Sequence, residues 1–242
     1  MSGMRLQVAL AKAGVASRRR AARIIESGCV KVNGRIVNKK GFRVNIARDR
    51  ITVDGKKLAF EKKKYYYILN KPSGVLSTAR DERGRKKVSD YVTAEGVRLY
   101  PVGRLDKDTT GVIILTNDGD LTYRLTHPKF GVERVYEVKA SGSVGKEGAL
   151  CLKKGVIIDG GLAQAEKIIF KRKTPKFTVL LLSIREGRKR EVRRMLEATG
   201  HKVLELKRIA YGPLGLGGLK EGRARHLKKD ELIKLKKCVG LA

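Results

Sequence analysis

Residues 112–115 form an unbroken apolar run, Val-Ile-Ile-Leu, lying between the turn-forming stretches Asp106 to Gly111 and Asn117-Asp118-Gly119. A short continuous run bounded in this way predicts a buried strand, which would hold the loop in front of it rigid. Behind the strand, Asp118 or Asp120 is placed to cap a short helix that has to stop before Pro128. Nearer the N-terminus, Leu6, Ala9, Leu10 and Ala13 recur at helical spacing and Gly14 supplies a stop. Ser17 is positioned to cap a second helix over 18–26, whose Ala21, Ile24 and Ile25 can pack on the first before Gly28 ends it. A strand over 29–32 then reaches Asn33-Gly34, a strong hairpin signal, and returns through 35–37. Residues 51–53 followed by Asp54-Gly55 repeat the same pattern.

Further along, residues 65–69 are rich in aromatic and β-branched side chains and predict a strand, closed by Asn70-Lys71-Pro72-Ser73-Gly74 and briefly extended through 75–77. The charged stretch 81–87 reads as a mobile loop. Alternation over 134–140 places Tyr136 and Val138 on one side and Val135, Glu137 and Lys139 on the other. Further strands are expected at 156–158, 165–170, 177–184 and 203–209. Between the last two, Val192, Met195, Leu196 and Thr199 keep helical spacing, so the run from Glu186 reads as one amphipathic helix with a crowded cationic side, ended by Gly200. The glycine-rich stretch 212–222 is a turn region. The charged run 61–64 reads as a linker between a domain over 1–60 and a larger one over 65–242.

Charge changes this picture from a fold to a partner. Lys and Arg outnumber Asp and Glu 56 to 24, a net charge of +32, and such an excess favours a polyanion because neutralised phosphates release their counterions. Nucleic acid comes well ahead of a membrane surface, since the clean apolar runs are too short to span a bilayer. The opening residues resemble a weak export signal, but Gln7, Lys12 and Arg18-Arg19-Arg20 argue against export. Cys29, Cys151 and Cys238 are far apart and fit a reducing cytoplasm, with thiols that are buried or incidental. No metal is expected: His127, His201 and His226 have no ligand partner at useful spacing, and the Asp106, Asp108, Gly111 pattern lacks the remaining ligands of a calcium loop. Asp106 is the acidic group that stands out against this basic background. On position alone it serves equally well as a turn residue beside Thr109-Thr110-Gly111.

Two resemblances bear on that choice. The pattern S-R-R-x-A-x-x-x-I-x-x-G-x-V-x-V-N-G, from Ser17 to Gly34, resembles the S4 domain, a small RNA-binding module, over roughly residues 4–60. A cationic helix face is usually only solvated surface, but the resemblance implies that Arg18, Arg19, Arg20, Arg23, Lys31 and Arg35 contact structured RNA. By itself it implies no chemistry.

G-R-L-D at 103–106, N-K-P-S-G at 70–74, R-x-Y-E-V at 134–138 and E-G-R-K-R-E-V-R-R-M at 186–195 together resemble the pseudouridine synthases, in the bacterial family that modifies ribosomal RNA and carries an N-terminal S4 domain. The resemblance implies an α+β fold: the S4 domain, then a catalytic domain on a mixed, largely antiparallel sheet. It implies isomerisation of uridine to pseudouridine without metal or cofactor. Asp106 would be the nucleophile, Tyr136 would stack on the base and help remove the C5 proton, and Arg193 would pair with Asp106 and keep it ionised. Arg104 would help displace the base from its helix, while Lys71, Arg188 and Arg190 would join the RNA contacts. Glu191 stands where a glutamine is usual. The partner implied is ribosomal RNA or pre-ribosomal particles, met in the cytoplasm by a monomer. The likeness of 203–227 points to large-subunit RNA, with small-subunit RNA as the alternative. A non-catalytic RNA-binding assembly factor is the competing class.

Overall fold

The computed structural model describes residues 3–60, 63–94 and 97–241. The chain divides into two units, Met1–Lys64 with Glu95–Arg98, and Tyr65–Ala94 with Leu99–Ala242. Of the expected linker, Glu61 and Lys62 lie outside the described residues.

In the first unit a two-residue strand β1 (Met4–Arg5) leads into helices α1 (Leu6–Lys12) and α2 (Arg18–Glu26). Ser17 caps α2, its hydroxyl accepting from the Arg20 amide at 3.3 Å. The strands β2 (Val30–Val32), β3 (Arg35–Ile36), β4 (Arg43–Val44), β5 (Ile51–Val53) and β6 (Lys56–Lys57) follow. β4 pairs with β1, and the others form a sheet in the order β3-β2-β5-β6. Asn33-Gly34 and Asp54-Gly55 have positive φ at both positions, the turn geometry that matches strand twist in tight hairpins. Leu6, Leu10, Ala21, Ile25, Val30 and Ile51 form the core, while Arg18, Arg19, Arg20, Arg23, Lys31 and Arg35 are all exposed.

The second unit begins with β7 (Tyr66–Lys71), β8 (Tyr100–Val102), β9 (Thr110–Thr116), α3 (Gly119–Thr126), β10 (Arg134–Ser141) and α4 (Lys146–Lys154). It continues through β11 (Val156–Ile158), β12 (Gly161–Ala163), β13 (Lys167–Lys173), β14 (Phe177–Ile184) and α5 (Glu191–Ala198). It ends with β15 (Val203–Tyr211), β16 (Leu214–Gly215), β17 (Ala224–His226) and α6 (Lys229–Lys237). The main sheet runs β13-β14-β10-β15-β9-β7-β17, with β16 on β15 and β8 on β9. Its pairings are antiparallel except at one seam, where β15 and β9 run parallel through two register pairs, Lys207 with Thr110 and Arg208 with Gly111.

β9 is apolar over Val112–Leu115 because both its faces are covered. Ile113 and Leu115 enter one core with Leu69, Val138, Met195 and Leu196, and Val112 and Ile114 enter the other with Ile68, Leu121, Leu125 and Tyr211. At the seam the backbones come so close that a Cβ on Gly111 would lie 2.1 Å from the Arg208 carbonyl oxygen, and Gly111 has φ +105°. Glycine alone fits there.

Several expectations are corrected. α5 starts at Glu191, and Arg188, Lys189 and Arg190 lie in the loop before it. Arg190, at φ 54°, adopts the left-handed conformation, which no helix continues through. The Glu191 carboxylate closes that turn by accepting from the Arg188 amide at 2.9 Å. β7 runs on through Asn70 and Lys71, where a turn was expected. The charged stretch 81–87 is a loop, as expected, its turn closed by Asp81, which accepts from the Arg83 and Arg85 amides and from the Arg85 guanidinium. Of the two expectations for the three thiols, buried or incidental, their exposure removes the first.

Candidate active site

The loop carrying Asp106 joins β8 to β9 and is fastened from the side of the β7 turn. Ser77 Oγ donates to the Leu105 carbonyl at 2.7 Å and accepts from the Leu105 amide at 3.0 Å. The Gly74 amide donates to the Lys107 carbonyl at 2.8 Å. Beneath them the Lys71 ammonium, 0% exposed, donates to the carbonyls of Pro72, Lys107 and Thr109 at 2.9, 3.1 and 2.8 Å. Lys71 therefore does not meet RNA, contrary to its sequence assignment. Its alternating position on β7 turns it inward, where three carbonyls use its three donors.

Burial pushes the Lys71 pKa down to about 8, against the opposing effect of the Asp108, Asp106 and Glu221 carboxylates. Between pH 8 and its unfolded value the unfolded chain holds the extra proton, so the Lys71 contribution to stability rises with pH across that window. Loop geometry moves the other way, because a neutral amine has two N–H donors for three carbonyls. We expect kcat/KM to fall along an alkaline limb with an apparent pKa of about 8, with no matching fall in thermal midpoint attributable to Lys71. A flat activity profile to about pH 9.5 would remove Lys71 as the anchor.

In front of the loop opens a cavity of about 790 Å³, lined among others by Arg104, Asp106, Arg134, Tyr136, Arg188, Arg190, Glu191, Arg208 and Tyr211. Asp106 is half-buried there. Tyr136, 8% exposed, reaches the cavity from β10, directly across the ladder from Arg208 on β15. The structure thus brings together Asp106, Tyr136, Arg104, Arg188 and Arg190 from three separate stretches of sequence.

Arg193 is not with them. Its Nη2 lies 2.7 Å from Asp108 Oδ2 and its Nη1 donates to the Val203 carbonyl at 3.2 Å. The expected pair with Asp106 is therefore corrected: Asp106 has no ion pair among the described residues. Asp106 faces the cavity, and it is Asp108, two residues on, that turns toward α5.

Two arginines not singled out in the sequence belong to the wall. Arg134 spends its guanidinium on the carbonyls of Val132, Arg185, Glu186 and Leu125, tying the loop before α5 to the end of α3. Arg208, 2% exposed, donates from Nε to the Val112 carbonyl at 2.8 Å, while its Nη2 has no hydrogen-bond partner among the described residues. Both guanidiniums lie over the Tyr211 ring, at 5.2 and 4.7 Å. Burial pushes the Tyr211 phenol up, so it stays protonated and donates to the Leu125 carbonyl. The legible signal was a cation in step with apolar residues: Arg134 shares a strand face with Tyr136 and Val138, and Arg208 with Leu206.

No group of three or more His, Cys, Asp or Glu side chains placed to hold a metal occurs among the described residues. No described helix is long and apolar enough to cross a membrane.

The second unit thus carries Asp106 in a cavity lined also by Glu186 and Glu191 and by five arginines, Arg104, Arg134, Arg188, Arg190 and Arg208. Residues 4–51 match the S4 domain and residues 65–198 match RNA pseudouridylate synthase. The chain is 44% identical over 234 residues, 96% of its length and 95% of the relative's, to ribosomal large subunit pseudouridine synthase B of Bacillus subtilis. It is 43% identical over 242 residues to an RNA pseudouridine synthase of Aquifex aeolicus, covering 100% and 97% of the two chains. A crystal structure of a pseudouridylate synthase superposes with a TM-score of 0.68 at 29% identity, covering 96% of this chain and 99% of that one. The chain belongs to the RNA pseudouridylate synthase family, with an S4 domain at its N-terminal end. Its activity is RNA pseudouridine synthesis.

Proposed function

We propose that this enzyme isomerises a uridine of large-subunit ribosomal RNA, with Asp106 as the nucleophile. The observation that carries the reading is the Asp106 carboxylate, set on a fastened loop and half-open to a cavity in which five arginines and Lys189 outnumber the three carboxylates, Asp106, Glu186 and Glu191, and where Tyr136 faces it from β10. The subunit preference rests on the relatives from Bacillus subtilis and Vibrio vulnificus, both named for the large subunit.

The target uridine leaves its stack and enters the cavity, because its reactive atoms are inaccessible within a helix. Asp106 promotes detachment of uracil from C1′ of the ribose, and the base turns to present C5. The C5–C1′ bond replaces the N1–C1′ bond; the C5 proton is lost with help from Tyr136, and N1, freed of the sugar, takes up a proton, so the net change is an isomerisation. Tyr136 also offers its ring to the uracil face. The buried Arg208 guanidinium, on the strand beside Tyr136, adds positive potential to the wall where the uracil gains negative charge as the base leaves. Arg193 acts at one remove, holding the far end of the loop through Asp108. Arg104, Arg188 and Arg190 meet phosphates at the rim, and Arg18, Arg19, Arg20, Arg23, Lys31 and Arg35 grip RNA from the S4 unit. The enzyme works as a monomer in the cytoplasm, on ribosomal RNA or pre-ribosomal particles.

The test is tritium release from C5-labelled uridine in large-subunit and small-subunit RNA, with pseudouridine mapping in a strain lacking the protein. We expect release from large-subunit RNA at one or a few positions. Release confined to small-subunit RNA reassigns the target, and release from neither overturns the reading.

A further inference from the structure

The chain has no Trp and only 5% aromatic residues, yet three rings gather on the surface beside the cavity. Tyr123, on the last turns of α3, is 50% exposed. Its ring centroid is 5.1 Å from that of His127 and 6.1 Å from that of Phe130, the latter nearly edge-on at 85°. His127 is fixed by the Lys129 amide, which donates to its Nδ1 at 3.2 Å. Cations accompany the rings: Lys129 Nζ is 5.6 Å from the Tyr123 centroid and 4.9 Å from that of Phe130, and the Arg124 guanidinium is 5.4 Å from Phe130. The cluster adjoins the cavity, because Thr126 and Pro128, interleaved with these residues in sequence, line its wall.

An exposed aromatic group carrying its own cations suits a ligand that has both a flat apolar face and a negative charge. A nucleotide has both. We propose that Tyr123, His127 and Phe130 form a stacking platform for a base that neighbours the target uridine on the same RNA strand, with Lys129 and Arg124 meeting its phosphates. The proposal rests on the reading of the cavity as the uridine site. When the target uridine swings into the cavity, the base beside it loses a stacking partner, and the platform offers a replacement face at the rim. Stacking tolerates any base, so this surface adds affinity and fixes the strand without reading sequence.

Tyr123 is exposed, so its replacement leaves the core untouched. The test uses the ribosomal RNA fragment that the wild-type enzyme modifies, intact or with an abasic nucleotide on either side of the target. Tyr123→Ala is expected to weaken binding of the intact fragment by about 10-fold, and Tyr123→Phe to restore it, with single-turnover rate at saturating RNA unchanged. An abasic nucleotide on one side should weaken wild-type binding comparably and leave Tyr123→Ala binding no weaker than it already is. Unchanged binding by Tyr123→Ala, or fully additive effects of ring and base removal, overturns the platform. Wild-type tritium release from the same fragment scores the parent reading separately, so the two failures are distinguishable.

Discussion

Asp106→Asn is expected to bind ribosomal RNA as well as the wild type and to release no measurable tritium, a loss of about 10⁴-fold or more in turnover. The amide matches the carboxylate in shape and keeps the loop bonds, which run through Ser77, Gly74 and Lys71 and never touch the Asp106 side chain. What disappears is the nucleophilic oxygen. Affinity should hold or rise slightly, because a negative charge inside a cationic cleft opposes the approach of phosphate. Asp106→Glu supplies the contrasting result: the charge stays but the reacting atom is displaced by one methylene, and a loss of about 100-fold is expected from misplacement alone. Anisotropy with the RNA fragment and single-turnover tritium release measure the two quantities separately. Wild-type turnover by Asp106→Asn would end the assignment of Asp106 as nucleophile.

The second large effect is on the fold. Gly111→Ala places a methyl carbon 2.1 Å from the Arg208 carbonyl oxygen, at a residue with φ +105°. Both atoms in conflict are fixed, one to a buried strand and the other to its parallel neighbour, so neither a rotamer change nor a side-chain shift relieves it. Overpacking and left-handed strain together should cost at least about 3 kcal/mol, against a total stability of roughly 5–15 kcal/mol for a domain. Urea unfolding of Gly111→Ala should show a much lower midpoint, and the remaining folded fraction should have weakened pairing between β9 and β15. A midpoint within experimental error of the wild type would show that the seam opens at little cost.

The first unit was readable almost throughout because local signals set it. Ser17 caps α2, Asn33-Gly34 and Asp54-Gly55 close hairpins, and the apolar spacing of Leu6, Leu10, Ala21 and Ile25 matches the packed faces. In the second unit β9, α3, β10 and β14 were readable for the same reason. β17 was not, because Ala224 to His226 has no apolar alternation and is a strand only by virtue of pairing with β7, which is distant in sequence. α6 was hidden by its charges, with Leu235 its single fully buried residue. Of the site, Asp106 and Tyr136 were visible through their motifs. The partner of Arg193 was misread because Asp106 and Asp108 flank a single residue, and only the path of the loop decides which of them turns toward α5. Arg208 went unnoticed because a strand arginine reads as surface until both flanking strands are known.

The anchors of the Asp106 loop grip main-chain atoms. Ser77, Gly74 and Lys71 hold carbonyls and an amide of Leu105, Lys107 and Thr109, and Arg104 and Lys107 have outward-facing side chains that take no part in these bonds. Position 107 is thus decoupled from the attacking group: exchange of its exposed side chain leaves every bond that sets the stance of Asp106 in place.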